Sequence, residues 1–588
     1  MTNDKKQFLE IIFPPLVWLN YYKKETFISD LTAGVTTAVM LIPQGMAYAL
    51  LARLDPIIGL YASVLPLIIY ALLGSSRQLS VGPIAMASLL MAAGTQQLVS
   101  AHALSEGDKL TIAILITLIV GIIQLLMGVL KLGGVVNLLS HPVVTGFTAA
   151  AALVIGSSQL QHLVGFSIPG GLPPHEQLLF LIANIGEVHP STLIVGVIAI
   201  FSLISIKKLS PQAPSAIIVV LVGIISSYLL DFKGLRVPIL GEIPSGLPSF
   251  QMPQHLEWEM IQSLIPTSFA VALVAFMESI SAAKVYARQN RYQISPSQEL
   301  ISLGLSNVGS AFTSGCVVGG ALSRTAVNAQ AGAKSPFANV ITAFVIGVTL
   351  AFLTEPFAYL PKPILAAIIM VAVVSLIDIE EVKHLWEIKR DDLVICVITF
   401  LSTLFIGVSA GILVGVLASL LWLVYTSTRP YIAILGRLPK TTSYRSIEHF
   451  SEAEAFDRIL IMRMDAQFFF GNVSHLKESI SDQLSNAGDI VALVIDASSM
   501  NALDSTAADA FSEMIKSLRN TGVEVMISHV KGSVLQVMEA AGIAQLLGSG
   551  HLFYEVHDAV QAALRHRDAV DSGISVEEEE FGPSDEID

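Results

Sequence analysis

Over the first two-thirds of this chain, apolar residues form long near-continuous runs, with neither helical nor strand alternation. The runs at 111–130, 193–206, 216–230, 394–407 and 412–425 carry little or no charge. About twenty apolar residues of helix, rising 1.5 Å each, cross a hydrocarbon layer roughly 30 Å thick. The pattern between residues 28 and 428 therefore predicts helical membrane spans, about fourteen counting those broken by Pro or Gly. Beyond Arg429 the texture changes. Strand-length apolar runs at 458–464, 489–496 and 523–530 alternate with helical patterns at 473–484, 506–519, 533–541 and 558–566. That alternation predicts a small α/β domain over 440–567.

Composition sharpens the picture. The 588 residues are 53% hydrophobic and 14% charged, with mean hydropathy +0.68. Soluble domains carry about 25% charged residues, so much of this chain belongs in a bilayer. A net charge of −14 argues against a nucleic-acid partner. Much of the acid sits in a solvated tail, 568–588, at Glu577 to Glu580, Asp585, Glu586 and Asp588. Cys316 and Cys396 lie in apolar surroundings with no disulfide or metal spacing. No cofactor is expected.

The first segment, 1–27, is polar and basic at Lys5, Lys6, Lys23 and Lys24, with an amphipathic piece at 8–18. It lacks a short apolar core with a cleavage site, so no cleavable leader is expected. Placing the N-terminus in the cytoplasm puts Lys131, Lys207, Lys208, Lys284, Arg288, Arg291, Lys383, Lys389, Arg390 and Arg429 inside. Arg53, Lys109, Lys233 and Arg236 fall outside. The expected location is a cell inner membrane, multi-pass, with both termini cytoplasmic.

Two interruptions carry the candidate chemistry. Residues 74–83 (GSSRQLSVGP) precede a short apolar helix, and residues 314–320 (SGCVVGG) precede another. Non-helical backbone at membrane depth survives only where protein or a cavity satisfies it. Two such breaks in corresponding halves point to a transporter site between inverted repeats. Helix N-termini offer free N–H groups and partial positive charge, and so suit an anion. Glycine kinks for close helix packing are the other reading.

Arg324 lies four residues into the second short helix, with Ser323 beside it, and Glu278 is the one acid in 268–283. A charge at mid-membrane costs about 2.5–3.5 kcal/mol on insertion scales. An anion for Arg324 and a proton or cation for Glu278 would justify that cost, and so would a Glu278–Arg324 ion pair joining two helices. Gln44 and Tyr48, four apart after Pro43, share a helix face. They could hydrogen-bond an oxyanion or glue helices together.

These residues resemble the SulP family of sulfate permeases and related anion transporters. The matching text is 30–49 (DLTAGVTTAVMLIPQGMAYA), 59–63 (GLYAS), 74–83, 140–160 (SHPVVTGFTAAAALVIGSSQL), 298–309 (QELISLGLSNVG) and 323–334 (SRTAVNAQAGAK). The resemblance implies a polytopic α-helical membrane protein with a seven-plus-seven inverted repeat, split into core and gate domains. It implies an elevator-like movement, with substrate between the third and tenth segments. Gln44, Tyr48, Ala85, Ser323 and Arg324 would then line the substrate site, and Glu278 would couple protons. Two departures stand out: Gly319 where many relatives have Thr, and Leu322 where many have Phe. Residues 496–507 (DASSMNALDSTA) resemble a STAS domain, in which Ser505 matches a phosphorylated position of anti-sigma-factor antagonists. Helix capping by Asp504 or Ser505 is the plainer account.

The expected function is secondary transport of an inorganic oxyanion, sulfate with protons. Bicarbonate or dicarboxylate cargo, sodium coupling, anion exchange, a channel, or a membrane sensor signalling through STAS are the rivals. The family also implies a homodimer, and the STAS domain a cytoplasmic protein partner. No H-E-x-x-H or P-loop pattern argues for an enzyme.

Overall fold

The computed structural model describes Leu19 and residues 22–572, except 103–107, 135–139, 170–171, 211–213, 252–257 and 375. The amphipathic piece at 8–18 and the acidic run at 577–588 lie outside the described residues. The chain divides into two compact units, Met1–Ser419 and Leu420–Asp588.

The first unit opens with α1 (Lys24–Leu51), α2 (Pro56–Tyr61) and α3 (Leu65–Leu73). A short strand, β1 (Val81–Pro83), leads into α4 (Ala85–His102). Then come α5 (Asp108–Val129), α6 (His141–Val164), α7 (Pro174–Ala183), α8 (Pro190–Leu209) and α9 (Ser215–Leu229). The same order returns in α10 (Trp258–Gln289), α11 (Pro296–Phe312), β2 (Val318–Gly320), α12 (Leu322–Gln330) and α13 (Phe337–Phe352). It continues with α14 (Lys362–Val374), α15 (Ile379–Ile388) and α16 (Arg390–Phe405), and α17 (Val408–Thr428) spans the boundary at Ser419.

Local chemistry sets these boundaries. Proline occupies the first turn of α6, α8 and α11, where its missing N–H would be unpaired anyway. Ser295 caps α11 by accepting from the Gln298 N–H. Gly165, at φ 84°, ends α6 in the left-handed conformation that glycine adopts without strain. Among the described residues, eight helical stretches are long and apolar enough to cross a membrane, with α2–α3 and α14–α15 each taken as one, and the shorter α9 and α13 are also apolar.

The packing reveals the repeat. Match α1 with α10, α3 with α11, β1–α4 with β2–α12, α5 with α13, α6 with α14, and α8 with α16. Exchanging the halves turns α1–α13 packing into α10–α5, α4–α10 into α12–α1, α5–α11 into α13–α3, and α6–α16 into α14–α8. Every one of these pairs is in close contact. The strands β1 and β2 pair antiparallel with each other, as an inverted exchange requires. One group therefore comprises α1–α5 and α10–α13 with both strands; α6–α9 and α14–α16 form the other. Between α5 and α11 the backbones touch. A Cβ on Gly304 would lie 2.8 Å from the Gly121 carbonyl oxygen, and the reverse distance is also 2.8 Å. In lipid, such close van der Waals packing holds helices together.

The second unit is an α/β domain. Its sheet runs β4 (Tyr444–Ser446), β3 (Ile432–Arg437), β5 (Ile459–Met464), β6 (Ala492–Asp496), β7 (Glu524–Ser528) and β8 (Leu552–Phe553). β5 to β8 are parallel, and β3 is antiparallel to both its neighbours. One face is covered by α18 (Val473–Ala487), α19 (Ser505–Asn520), α20 (Gly532–Ala540) and α21 (Ile543–Leu547), and the other by α22 (Val556–Asp571). The three strands and four helices expected from alternation are present. The sequence pattern misses β3, which follows six residues after the last membrane run, the short β4 and β8, of three and two residues, and the five-residue α21.

Candidate functional site

The site is built on the crossing of β1 and β2. Val81 pairs with Gly320, Gly82 with Gly319, and Pro83 with Val318. A two-stranded ribbon leaves backbone groups unpaired, and in lipid no water is present to meet them. Side chains do so instead. Asn307 accepts from the Val318 N–H at 2.8 Å and donates to its carbonyl at 3.0 Å. Ser279 Oγ accepts from the Gly320 N–H at 2.7 Å. On the β1 side, Asn328 donates to the Gln78 carbonyl at 2.8 Å and Asn339 to that of Leu79 at 2.9 Å. Thr325 Oγ1 accepts from the Ser80 N–H at 3.3 Å.

Arg324 is fully buried, 0% exposed, and points into this crossing. Its Nη1 donates to Pro83 O at 3.1 Å, and its Nη2 to Gly319 O at 3.1 Å and Ser80 O at 3.3 Å. Nε donates to Ser80 O at 3.4 Å. The longest bond is Nη1 to Gln44 Oε1, at 3.5 Å. The guanidinium thus faces protein, braced by carbonyls of both strands. Gly82 permits the approach, since a Cβ there would lie 3.4 Å from Nη2 and 3.1 Å from Leu41.

Around this cation stand the other residues singled out from sequence. Gln44 Nε2 donates to the Tyr48 hydroxyl at 2.8 Å, and both residues are 6% exposed. Glu278 Oε2 is buried without a hydrogen-bond partner. Glu278 and Tyr48 lie within electrostatic reach of the Arg324 guanidinium. Glu278 and Arg324 nevertheless make no closed ion pair, because each of the five hydrogen bonds from Arg324 goes to an uncharged oxygen. Ala85 is half-buried at the start of α4, and Ser323 is exposed at the start of α12. The first backbone bonds into these helices are Ser88 N–H to Ile84 O and Thr325 N–H to Ala321 O. The N–H groups of 85–87 and 322–324 therefore precede the helical ladder, as first-turn donors do.

Gly319, a departure from the family text, has a local reason. A Cβ there would fall 2.8 Å from Ile84 Cδ1 and 3.1 Å from Ser279 Oγ. Ser279 already supplies a hydroxyl at this spot.

Contacts between the two helix groups do not follow the half-exchange. α1 packs on α9 and α14, and α4 on α6. Among the described residues α10 does not pack on α6 as closely as its counterpart α1 packs on α14. Leu322, at the start of α12, is 51% exposed.

Comparison with known proteins agrees with this geometry. The profile of the sulfate permease family matches residues 27–399. The chain belongs to the sulfate permease family. A STAS domain profile matches residues 451–559. A probable sulfate transporter 4.2 of Arabidopsis thaliana is 35% identical over 576 residues, covering 95% of this chain and 84% of that one. High affinity sulfate transporter 2 of Stylosanthes hamata is 32% identical over 575 residues, covering 94% and 86%. The solved murine Slc26a9 anion transporter, in an inward-facing state, superposes with a TM-score of 0.88 at 26% identity, covering 95% of both chains. The transmembrane domain of the cyanobacterial bicarbonate transporter BicA shares the fold at 23% identity, with a TM-score of 0.58 over 68% of this chain. This family member is a multi-pass membrane anion transporter rather than an enzyme.

In the STAS domain the cap is Asp504. Its carboxylate accepts from the Ala507 N–H at 2.7 Å and the Phe470 N–H at 2.9 Å. Ser505 is exposed in the first turn of α19. Replacing Asp504 with Ala should destabilise the domain by about 1 kcal/mol, read as a lower unfolding midpoint of the domain within the full-length chain.

Sequence reasoning missed Asn307, Ser279, Asp30 and Glu299. Their signal was present, as polar side chains inside apolar helices, but their partners lie in distant elements.

Proposed function

We propose that this chain imports sulfate together with protons across the cell inner membrane by movement of the α1–α5 and α10–α13 group against the other helices. The observation that carries this reading is a fully buried, strand-braced guanidinium beside two helix N-termini and an unpaired carboxylate. An entering oxyanion takes Gln44's place at Nη1, the longest of the five bonds. Gln44 Nε2, Tyr48 and the N–H groups of Ala85 and Ser323 complete its shell. A proton on Glu278 removes a negative charge that would repel a dianion. The movement carries anion and proton to the cytoplasmic side, where both leave.

The sulfate-named relatives support the choice of cargo. A homodimer in the inner membrane with cytoplasmic termini fits the same reading. Phosphorylation of Ser505 would add charge at the first turn of α19, beside Asp504, and mark a regulatory partner surface. Uptake of labelled sulfate into proteoliposomes should rise several-fold when the outside is made acidic without sodium. Bicarbonate and dicarboxylates should compete weakly. Sulfate uptake indifferent to pH, or dependent on sodium, would overturn the coupling. Failure of excess sulfate to compete for the transported anion would overturn the cargo.

A further inference from the structure

Two carboxylates in the membrane unit are fully buried and take no part in the mechanism above. Glu299 and Asp30 are each 0% exposed. Glu299 Oε1 accepts from the Ser75 N–H at 2.8 Å, the Ser75 hydroxyl at 2.7 Å and the Ser76 N–H at 3.1 Å. Its Oε2 accepts from the Tyr70 hydroxyl at 2.7 Å. Asp30 uses the same set of donors. It accepts from the Lys334 N–H at 2.7 Å, the Ser335 N–H at 3.1 Å, the Ser335 hydroxyl at 2.5 Å and the Tyr22 hydroxyl at 3.0 Å. Two backbone donors, one serine and one tyrosine satisfy each. A buried carboxylate is strongly unfavourable unless so paired, and charge-assisted bonds are about twice as strong as neutral ones.

Their placement relative to Arg324 is specific. Glu299, in the first turn of α11, fixes residues 75–76, where the extended segment begins. That segment runs on to Ser80 and Pro83, whose carbonyls grip Arg324. Asp30 fixes residues 334–335, the corner that follows α12, the helix carrying Arg324. Gln78 joins the two ends: its Nε2 donates to Ala333 O at 3.2 Å, and its Oε1 accepts from Tyr292 at 2.7 Å. Tyr292 in turn accepts from the Arg77 N–H at 2.9 Å.

We propose that Glu299 and Asp30 are positioning residues for the anion site, one holding the carbonyls that receive Arg324 and the other the helix that presents it. The inference rests on the anion site at Arg324. Without either carboxylate, strand and helix shift relative to each other, and the guanidinium no longer sits where an anion meets it.

Full-length protein in proteoliposomes tests this, with labelled sulfate and a thermal midpoint for each variant. Glu299→Gln and Asp30→Asn should each raise the sulfate KM about tenfold or more, with turnover within about threefold. Tyr70→Phe, a milder change that removes one donor, should raise KM a few-fold, and it carries the test if the amide variants do not fold. Combined with Arg324→Lys, Glu299→Gln or Tyr70→Phe should add less than about twofold, because the effect passes through the arginine. An unchanged KM with only turnover or thermal midpoint lowered would overturn the positioning role. So would effects that simply multiply with that of Arg324→Lys. A KM unchanged by Arg324→Lys alone would instead sink the anion site itself.

Discussion

Arg324→Lys should raise the sulfate KM about tenfold to a hundredfold. Lysine keeps the charge, so the expected loss comes from geometry. The guanidinium spreads planar donors over the carbonyls of Pro83 on β1, Gly319 on β2 and Ser80 just before β1. An ammonium has three donors around one point and cannot span them. Carbonyls left unpaired away from water each cost about 1–3 kcal/mol. The ribbon then relaxes and the N-termini of α4 and α12 lose their registration. Loss of one charge-assisted bond at the anion adds about 1.5–3 kcal/mol, and each 1.4 kcal/mol is tenfold in affinity. Arg324→Ala should be worse, since it also removes the buried cation. Concentration-dependent initial rates in proteoliposomes decide the matter; an unchanged KM in the lysine variant would rule out the arginine as the organiser of the site.

The second large effect is expected at Glu278. Glu278→Gln should abolish accumulation driven by a pH gradient while leaving sulfate–sulfate exchange largely intact. Glutamine has nearly the shape of protonated glutamate but cannot release a proton. One pH unit is worth about 1.4 kcal/mol per proton. A carrier moving one proton per cycle should therefore concentrate substrate about tenfold per unit of gradient, and the variant about onefold. The sign follows from the proposed symport: acid outside should drive uptake in the parent chain, and making the outside alkaline should slow it. A variant that still accumulates sulfate in proportion to the gradient would remove Glu278 from coupling. Counterflow by the same preparation separates lost coupling from lost folding.

Both effects fall on residues and roles that the sequence singles out, but the sequence left open which partners hold those residues. Arg324 and Glu278 stand out because a charge inside an apolar run is costly, and that is a local property. Whether they pair with each other is not local. The ion pair that spacing allows is absent; neutral oxygens receive Arg324, and Glu278 Oε2 has no partner. Gly319 reads from sequence as a departure, whereas in the structure it is the space that Ile84 and Ser279 fill. Glu299 sits within a recognisable stretch but gives no hint of its partner, because Ser75 is 224 positions away.

The sequence by itself determined what hydrophobic burial and chain breaks control: apolar runs long enough to cross a bilayer, two interruptions in corresponding halves, isolated charges beside them, and an alternating α/β domain after Arg429. These follow from short-range spacing, because solvent exclusion and backbone satisfaction act within a few residues. Tertiary structure alone decided where the polar groups of the breaks find partners. Ser80 meets Arg324 across 244 positions, and no periodicity encodes that encounter.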